Sequence, residues 1–371
     1  MPRRFLLTGG GTGGHVTPAL AAASALRERY PDAEFRYVGL KHKAEGVMAP
    51  RAGLPLDGVS SRGLPSPGPG LLGFAWDLGR GVAQATAILL RRRPSLIVAT
   101  GGYAAAPVVL ANGLLRALRL SRAPLLVHEQ NAHLGRLNRV AASLADLVAV
   151  SFPETLREVP ANRGVYVGYP VRTSCARGDR EAAREHLGLP ADARVVFAFG
   201  GSQGARTINR AVVDAAAALL DDPRVWILHG CGRPFGNGEA YDGAADVAAR
   251  IAARAPELAE HPRYRRLDFI DDMASHYAAS DVVLCRAGAG SLMEVCAQQR
   301  PAVVIPKANL PGDHQVRNAR VIERAGGCRI LYERLDPTDG RHAVPFVDDM
   351  ISPHTSAWAT LKTESASSSR V

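Results

Sequence analysis

The sequence is poor in paired cysteines, in acidic residues and in long apolar runs, and each shortage argues against a class of protein. Its five cysteines (Cys175, Cys231, Cys285, Cys296, Cys328) are odd in number, scattered, and form no Cys-x-x-Cys pair. That pattern argues against a disulfide framework or a structural zinc site and for a reducing compartment. No uncharged apolar stretch reaches the ~18 residues that span a bilayer. Arg3-Arg4 ahead of Phe5-Leu6-Leu7 superficially looks like a signal peptide, but the apolar run stops at a glycine turn, too early for such a segment. A cytosolic protein, or one attached to a membrane from the side, is expected. Asp-x-Asp is missing and the histidines do not stand at ligand spacing, so no metal is expected, and no organic cofactor either.

Acidic residues number 35 against 45 Lys and Arg, giving a net charge of +10. Such a surplus suits nucleic acid, an anionic bilayer or a polyanionic small substrate. No DNA- or RNA-binding motif is visible, which ranks nucleic acid last.

The 371 residues suffice for two or three domains at the usual ~150 residues each. Strand Phe5–Leu7 runs into Gly9-Gly10-Gly11-Thr12-Gly13-Gly14-His15, then a helix to about Arg29 and a second strand, Phe35–Val38. Gly9-x-Gly11-x-x-Gly14 fits the dinucleotide fingerprint, yet Gly39-Leu40-Lys41 stands where the ribose-binding acid belongs. An oxidoreductase is therefore disfavoured. Strands follow at Leu96–Val98, Leu125–Val127 and Leu147–Val150, the middle one ending in His128-Glu129-Gln130-Asn131. Val165 to Arg172 reads as a hinge. Beyond it the pattern repeats: strand Val195–Ala198, Gly200-Gly201-Ser202-Gln203-Gly204, a helix to about Leu220, and a strand at Val225–His229. Two strand–glycine turn–helix openings predict an α/β chain of two doubly wound, Rossmann-like domains with a cleft between them. The expected domains are 1–165 and 166–335, with an atypical, Ser-rich tail of disordered composition at 336–371.

In the second half, strand Val282–Cys285 ends in Arg286-Ala287-Gly288-Ala289-Gly290-Ser291, and Leu292-Met293-Glu294 begins the next helix. A helix N-terminus at a small-residue turn attracts an anion by roughly 0.3–1 kcal/mol, and more when partly buried. Glu294 suits a ribose diol, or is only a favourable first-turn charge. His15 and Glu129 compete as general base; His15 could equally shape its turn. Ser202 and Arg172 are candidate donors to a diphosphate, with Arg172 otherwise a surface cation. From Gly63 to Gly81, prolines and glycines around Leu71, Leu72, Phe74 and Trp76 predict a mobile loop or short helix. Those side chains either tuck into the core or form an apolar patch, with Arg62 and Arg80 at its rim, suited to an anionic membrane.

The ordered set Gly10–His15, Gly101-Gly102-Tyr103, His128–Asn131, Gly200–Ala205, Phe269–Met273 and Arg286–Glu294 resembles the MurG family, N-acetylglucosaminyltransferases of peptidoglycan synthesis. The similarity runs from Phe5 to about Gly327. It implies a GT-B fold and a metal-independent, inverting transfer of N-acetylglucosamine (GlcNAc) from UDP-GlcNAc to the C4 hydroxyl of the muramoyl sugar of lipid I. The products are lipid II and UDP, made at the cytoplasmic face of the cell membrane. By the same resemblance Ile270 pairs its backbone with uracil, Glu294 takes the ribose hydroxyls, and Ser202 and Arg172 hold the diphosphate. Asn131, the Ala289 backbone and Gln315 meet the sugar, and Gly290, Ser291, Leu292 and Met293 complete the donor site. Thr12, Gly13, Gly14 and His15 line the acceptor side, and Leu71–Trp76 face the membrane. The chain departs from the family at His314, where a glutamine is usual, and at Tyr169, where an asparagine is. Its C-terminal stretch also lacks the sustained helical periodicity with which members finish. Alternatives are another GT-B enzyme such as a UDP-GlcNAc 2-epimerase, or an impaired homologue that only binds the UDP-sugar.

Overall fold

The computed structural model describes residues 3–172, 175, 176, 178–233, 241–307, 311–335 and 343–345. The chain divides into two compact units, residues 1–173 and 174–371. In the first run β1 (Arg4–Thr8), α1 (Gly13–Arg29), β2 (Glu34–Gly39), α2 (Ala44–Arg51), β3 (Leu56–Gly58) and α3 (Gly70–Arg92). They are followed by β4 (Leu96–Ala99), α4 (Ala106–Ala117), β5 (Leu125–Glu129), α5 (Arg136–Leu144), β6 (Leu147–Val150) and β7 (Gly164–Tyr166). All seven strands are parallel, in the order β3-β2-β1-β4-β5-β6-β7.

The second unit holds α6 (Arg180–His186), β8 (Arg194–Phe199), α7 (Arg206–Leu220), β9 (Val225–Gly230), α8 (Gly243–Arg254), β10 (Tyr264–Leu267) and α9 (Met273–Ala279). After these come β11 (Val282–Cys285), α10 (Ala289–Ala297), β12 (Ala302–Val304), α11 (His314–Arg324) and β13 (Cys328–Ile330). Its parallel sheet runs β10-β9-β8-β11-β12-β13. A small antiparallel pair, β14 (Glu333–Leu335) and β15 (Ala343–Pro345), follows. Apart from β15, the tail at 336–371 lies outside the described residues.

The strands read as continuous apolar runs because both faces of each sheet are covered. Phe5 and Leu7 pack with Val16, Ala19 and Tyr37, while Leu6 between them packs with Ile97, Leu125 and Val148. Likewise Val195, Phe197 and Phe199 join one cluster, and Val196 and Ala198 the other. In both sheets the strand order reverses once, between β1 and β4 and between β8 and β11. The loops leaving those four strands therefore flank the crevice where doubly wound sheets bind ligands.

Two expectations need correction. The stretch read as a hinge begins in strand β7, which pairs with β6, so a boundary at 165/166 would cut a strand. The segment read as a mobile loop or short helix contains most of α3, 23 residues long. Its glycines are not all breakers: a Cβ at Gly81 would meet the Ser60 carbonyl oxygen at 2.0 Å, so this glycine lets the helix lie against the backbone.

Candidate active site

In the first unit the glycine loop after β1 is held from within. Glu45, fully buried in the first turn of α2, accepts from the Gly11 amide (3.0 Å) and the Leu40 amide (3.0 Å). Tyr37 donates to the Gly9 carbonyl at 2.6 Å. Burial raises the Tyr37 hydroxyl's pKa, and the Glu45 charge adds to that, so it stays a donor. The loop after β4 packs on the same turn: Gly102 (φ 73°) has no room for a side chain, since a Cβ would stand 2.1 Å from the Gly10 carbonyl oxygen. A dinucleotide fingerprint presents its loop amides to a pyrophosphate. Here a buried carboxylate already takes the Gly11 amide. The acid missing at the end of β2 thus stands a few residues later and turns inward, a placement the sequence reading did not find.

Thr12 precedes α1, and Gly13, Gly14 and His15 form its first turn. A Cβ built on Gly13 meets nothing within 4 Å, so this edge of the loop is open. His15 Nδ1 lies 3.0 Å from the Thr100 carbonyl oxygen and 3.1 Å from Gln130 Oε1. The imidazole is therefore anchored by one ring nitrogen.

Glu129, the rival base, is differently placed. It is 1% exposed. Its Oε1 accepts from the Asn131 amide (2.9 Å) and Asn131 Nδ2 (3.0 Å), and its Oε2 from the Gly135 amide (2.9 Å) and Asn138 Nδ2 (2.8 Å). Four charge-assisted donors around one carboxylate make it an anchor for the loop after β5 and the start of α5. Such a group is not open to a sugar hydroxyl. Asn131, one of the expected sugar contacts, is oriented by it.

In the second unit Ser202 lies in the turn after β8, and its carbonyl accepts from the Arg233 amide at 3.2 Å. Neither α7 nor α10 has a side-chain cap at its N-terminus. Glu294, buried in α10, accepts from the Tyr277 hydroxyl at 3.1 Å. Burial pushes the Tyr277 hydroxyl's pKa up and the Glu294 charge reinforces the shift, so the tyrosine serves as donor. Leu292 is 1% exposed and belongs to the core, so only its backbone can meet a ligand, while Gly290, Ser291 and Met293 are half-buried and Ala289 is buried. Ile270 follows β10 and leans on Gly230. Beside it the Arg233 guanidinium stacks 4.1 Å from the Phe269 ring centre. Gln315, at the start of α11, accepts from the Lys307 amide at 2.9 Å. Arg172 is half-buried and belongs to the first compact unit.

Residues 5–150 match the glycosyltransferase family 28 N-terminal domain, and residues 195–339 match the C-terminal domain of the same family. The chain belongs to glycosyltransferase family 28. A Salinibacter ruber protein is 38% identical over 331 residues, covering 89% of this chain and 84% of its own length. A Nocardioides protein is 40% identical over 340 residues, with 90% and 86% covered. Each is named UDP-N-acetylglucosamine–N-acetylmuramyl-(pentapeptide) pyrophosphoryl-undecaprenol N-acetylglucosamine transferase. Among solved structures, MurG of Acinetobacter baumannii superposes with a TM-score of 0.64 at 25% identity, over 90% of this chain and 86% of that one.

Helix α3 of this family member carries Leu72 and Trp76 one turn apart, 81% and 74% exposed, with Leu71 beside them and Phe74 half-buried. Arg80 extends the same helical stripe by another turn, and Arg62 pairs with Asp77. Among the described residues no helix is long and apolar enough to cross a membrane, and no group of three or more His, Cys, Asp and Glu could hold a metal ion.

Proposed function

We propose that this chain transfers GlcNAc from UDP-GlcNAc to the C4 hydroxyl of the N-acetylmuramyl sugar of undecaprenyl-linked lipid I, giving lipid II and UDP. The observation that carries this reading is the nearly full-length match to two transferases of that name, each at least 38% identical. The half-buried His15 beside an open loop edge, and a Glu294 held ready by Tyr277, are consistent with it.

In this reading His15 Nε2 takes the proton of the C4 hydroxyl as that oxygen attacks C1 of the donor sugar. The C1–O bond to the diphosphate breaks on the opposite face, its electron pair leaves with UDP, and the configuration inverts. The backbone N–H groups opening α7 and α10, with Ser202 and Arg172, take up the charge that develops on the diphosphate. Ile270 receives the uracil on its backbone and Glu294 the ribose diol. Asn131, Ala289 and Gln315 contact the donor sugar, with Gly290, Ser291 and Met293 around it. Thr12, Gly13 and Gly14 border the acceptor. The stripe of Leu72, Trp76 and Arg80, with Leu71 beside it, rests on the anionic cytoplasmic surface of the membrane that holds lipid I, making the enzyme peripheral.

Product analysis of UDP-GlcNAc incubated with and without a lipid I analogue tests the assignment. Disaccharide formed only with the acceptor is expected. An epimerised UDP-sugar formed without it would replace this reading by a 2-epimerase, and UDP-GlcNAc binding with no product by a binding protein.

A further inference from the structure

His15, Gln130 and His128 form one hydrogen-bonded line, and backbone carbonyls fix its direction. A carbonyl oxygen only accepts. Because His15 Nδ1 faces the Thr100 carbonyl at 3.0 Å, it carries the proton, which it shares with Gln130 Oε1 at 3.1 Å. The other end of that amide, Nε2, faces the His128 carbonyl at 2.8 Å and His128 Nδ1 at 3.0 Å. Turning the amide round would set its oxygen against a carbonyl oxygen and its NH2 against the His15 N–H. His128 Nδ1 is thus an acceptor, and its Nε2–H points to the Gly168 carbonyl at 3.3 Å, with Ser151 Oγ at 3.4 Å. Burial holds the pKa of His128 down, against the opposing pull of the Gly168 bond and the Glu129 charge, so the ring is neutral and has one proton to place. Carbonyls at Thr100, His128 and Gly168 together leave one arrangement of protons along the line.

We propose that Gln130, backed by His128, is a positioning residue that keeps His15 in its Nδ1–H tautomer, so that the Nε2 lone pair faces the incoming hydroxyl. This rests on the reading of His15 as the base. The opposite tautomer would place a proton where the acceptor's proton has to go. Thr100 supplies one of the two acceptors for the His15 N–H. Gln130, 2% exposed, supplies the second and sets the plane of the ring.

Full-length protein labelled with 15N at histidine reports the tautomer through two-bond nitrogen–proton couplings, with the His15 signals assigned by their loss in His15→Ala. In Gln130→Met the His15 ring is no longer held in the plane that faces the Thr100 carbonyl. An Nε2–H population is therefore expected to appear as the ring turns away, with kcat down ~10-fold or more and KM for UDP-GlcNAc held within about twofold. Gln130→Glu, with a carboxylic acid proton on the oxygen that faces the His128 carbonyl and its other oxygen toward His15, keeps that acceptor, so the Nδ1–H form and much of the rate are expected to return. Either change in Gln130→Met without the other overturns the proposal, as does an Nε2–H ring in Gln130→Glu, which alone carries the test should Gln130→Met fail to fold. Full activity in His15→Ala would instead remove the base reading and leave the tautomer measurement standing.

Discussion

Asn138 Nδ2 donates to Glu129 Oε2 across 2.8 Å and completes the four N–H donors around that buried carboxylate. A residue so enclosed contributes to folding rather than to proton transfer. Glu129→Ala leaves those donors without their acceptor, at about 1–3 kcal/mol for each that water cannot reach. Urea unfolding of this variant is expected to show a loss of ~3 kcal/mol or more. A stability within about 0.5 kcal/mol of the native chain would return Glu129 to the list of possible bases.

The Tyr277–Glu294 bond makes a specific claim about the ribose. Glu294→Ala is expected to weaken UDP binding ~10-fold or more in calorimetry, the scale of a lost charge-assisted hydrogen bond. The variant should also bind UDP and 2′-deoxy-UDP alike, whereas the native protein prefers UDP. An unchanged UDP affinity would count against the assignment.

Replacing Leu72 and Trp76 together by serine removes the two most exposed large apolar side chains of α3. Flotation with anionic vesicles is expected to show binding reduced ~10-fold or more, since each such side chain contributes about 1.5–3 kcal/mol when fully buried in apolar surroundings. Transfer to a soluble acceptor should be untouched. Equal vesicle binding by both proteins would locate the membrane contact elsewhere.

The second unit carries a buried histidine that resists protonation. His229 faces the Tyr264 hydroxyl at 2.8 Å and Asn209 Oδ1 at 3.2 Å, and burial, with Arg266 adding, lowers its pKa from 6.5 to about 3. Between those values the unfolded chain takes up a proton that the native chain refuses. The stability is therefore complete above the unfolded value and falls as pH drops below it, by ~1.4 kcal/mol per pH unit. From about pH 7.5 to about pH 5, His229 alone should lower the unfolding free energy by about 2 kcal/mol. Burial lowers the pKa values of His128 and His276 too, which adds in the same direction. Urea midpoints at the two pH values measure this, and His229→Gln should show a smaller fall. Identical pH dependence in both proteins would contradict the account.

What the sequence disclosed, and what it hid, follows from burial. The central strands β1, β4, β5, β8, β9 and β11 are covered on both faces and read plainly as apolar runs. Strands β3, β7, β10 and β13 went unrecognised, and all four are sheet edges. Edge strands are half-wet, so Leu56-Asp57-Gly58 or Tyr264-Arg265-Arg266-Leu267 shows little hydrophobic pattern. In α3 the glycines suggested breaks, whereas Gly81 serves close packing against Ser60. The two glycine loops, and the places of His15 after β1 and Glu294 after β11, could be read because they follow apolar strands. Glu45 was not, because nothing in Ala44-Glu45-Gly46 tells that its carboxylate folds inward onto Gly11.

The central claim is that His15 activates the acceptor hydroxyl for transfer from UDP-GlcNAc without a divalent ion. Radiolabelled transfer to a lipid I analogue, run in excess EDTA for the native protein and for His15→Ala, addresses it directly. Labelled disaccharide and UDP in equal amounts are expected from the native protein, with a rate ~10²–10⁴-fold lower in the variant and UDP-GlcNAc affinity retained. A variant as fast as the native protein, or native activity abolished by EDTA, would contradict the account.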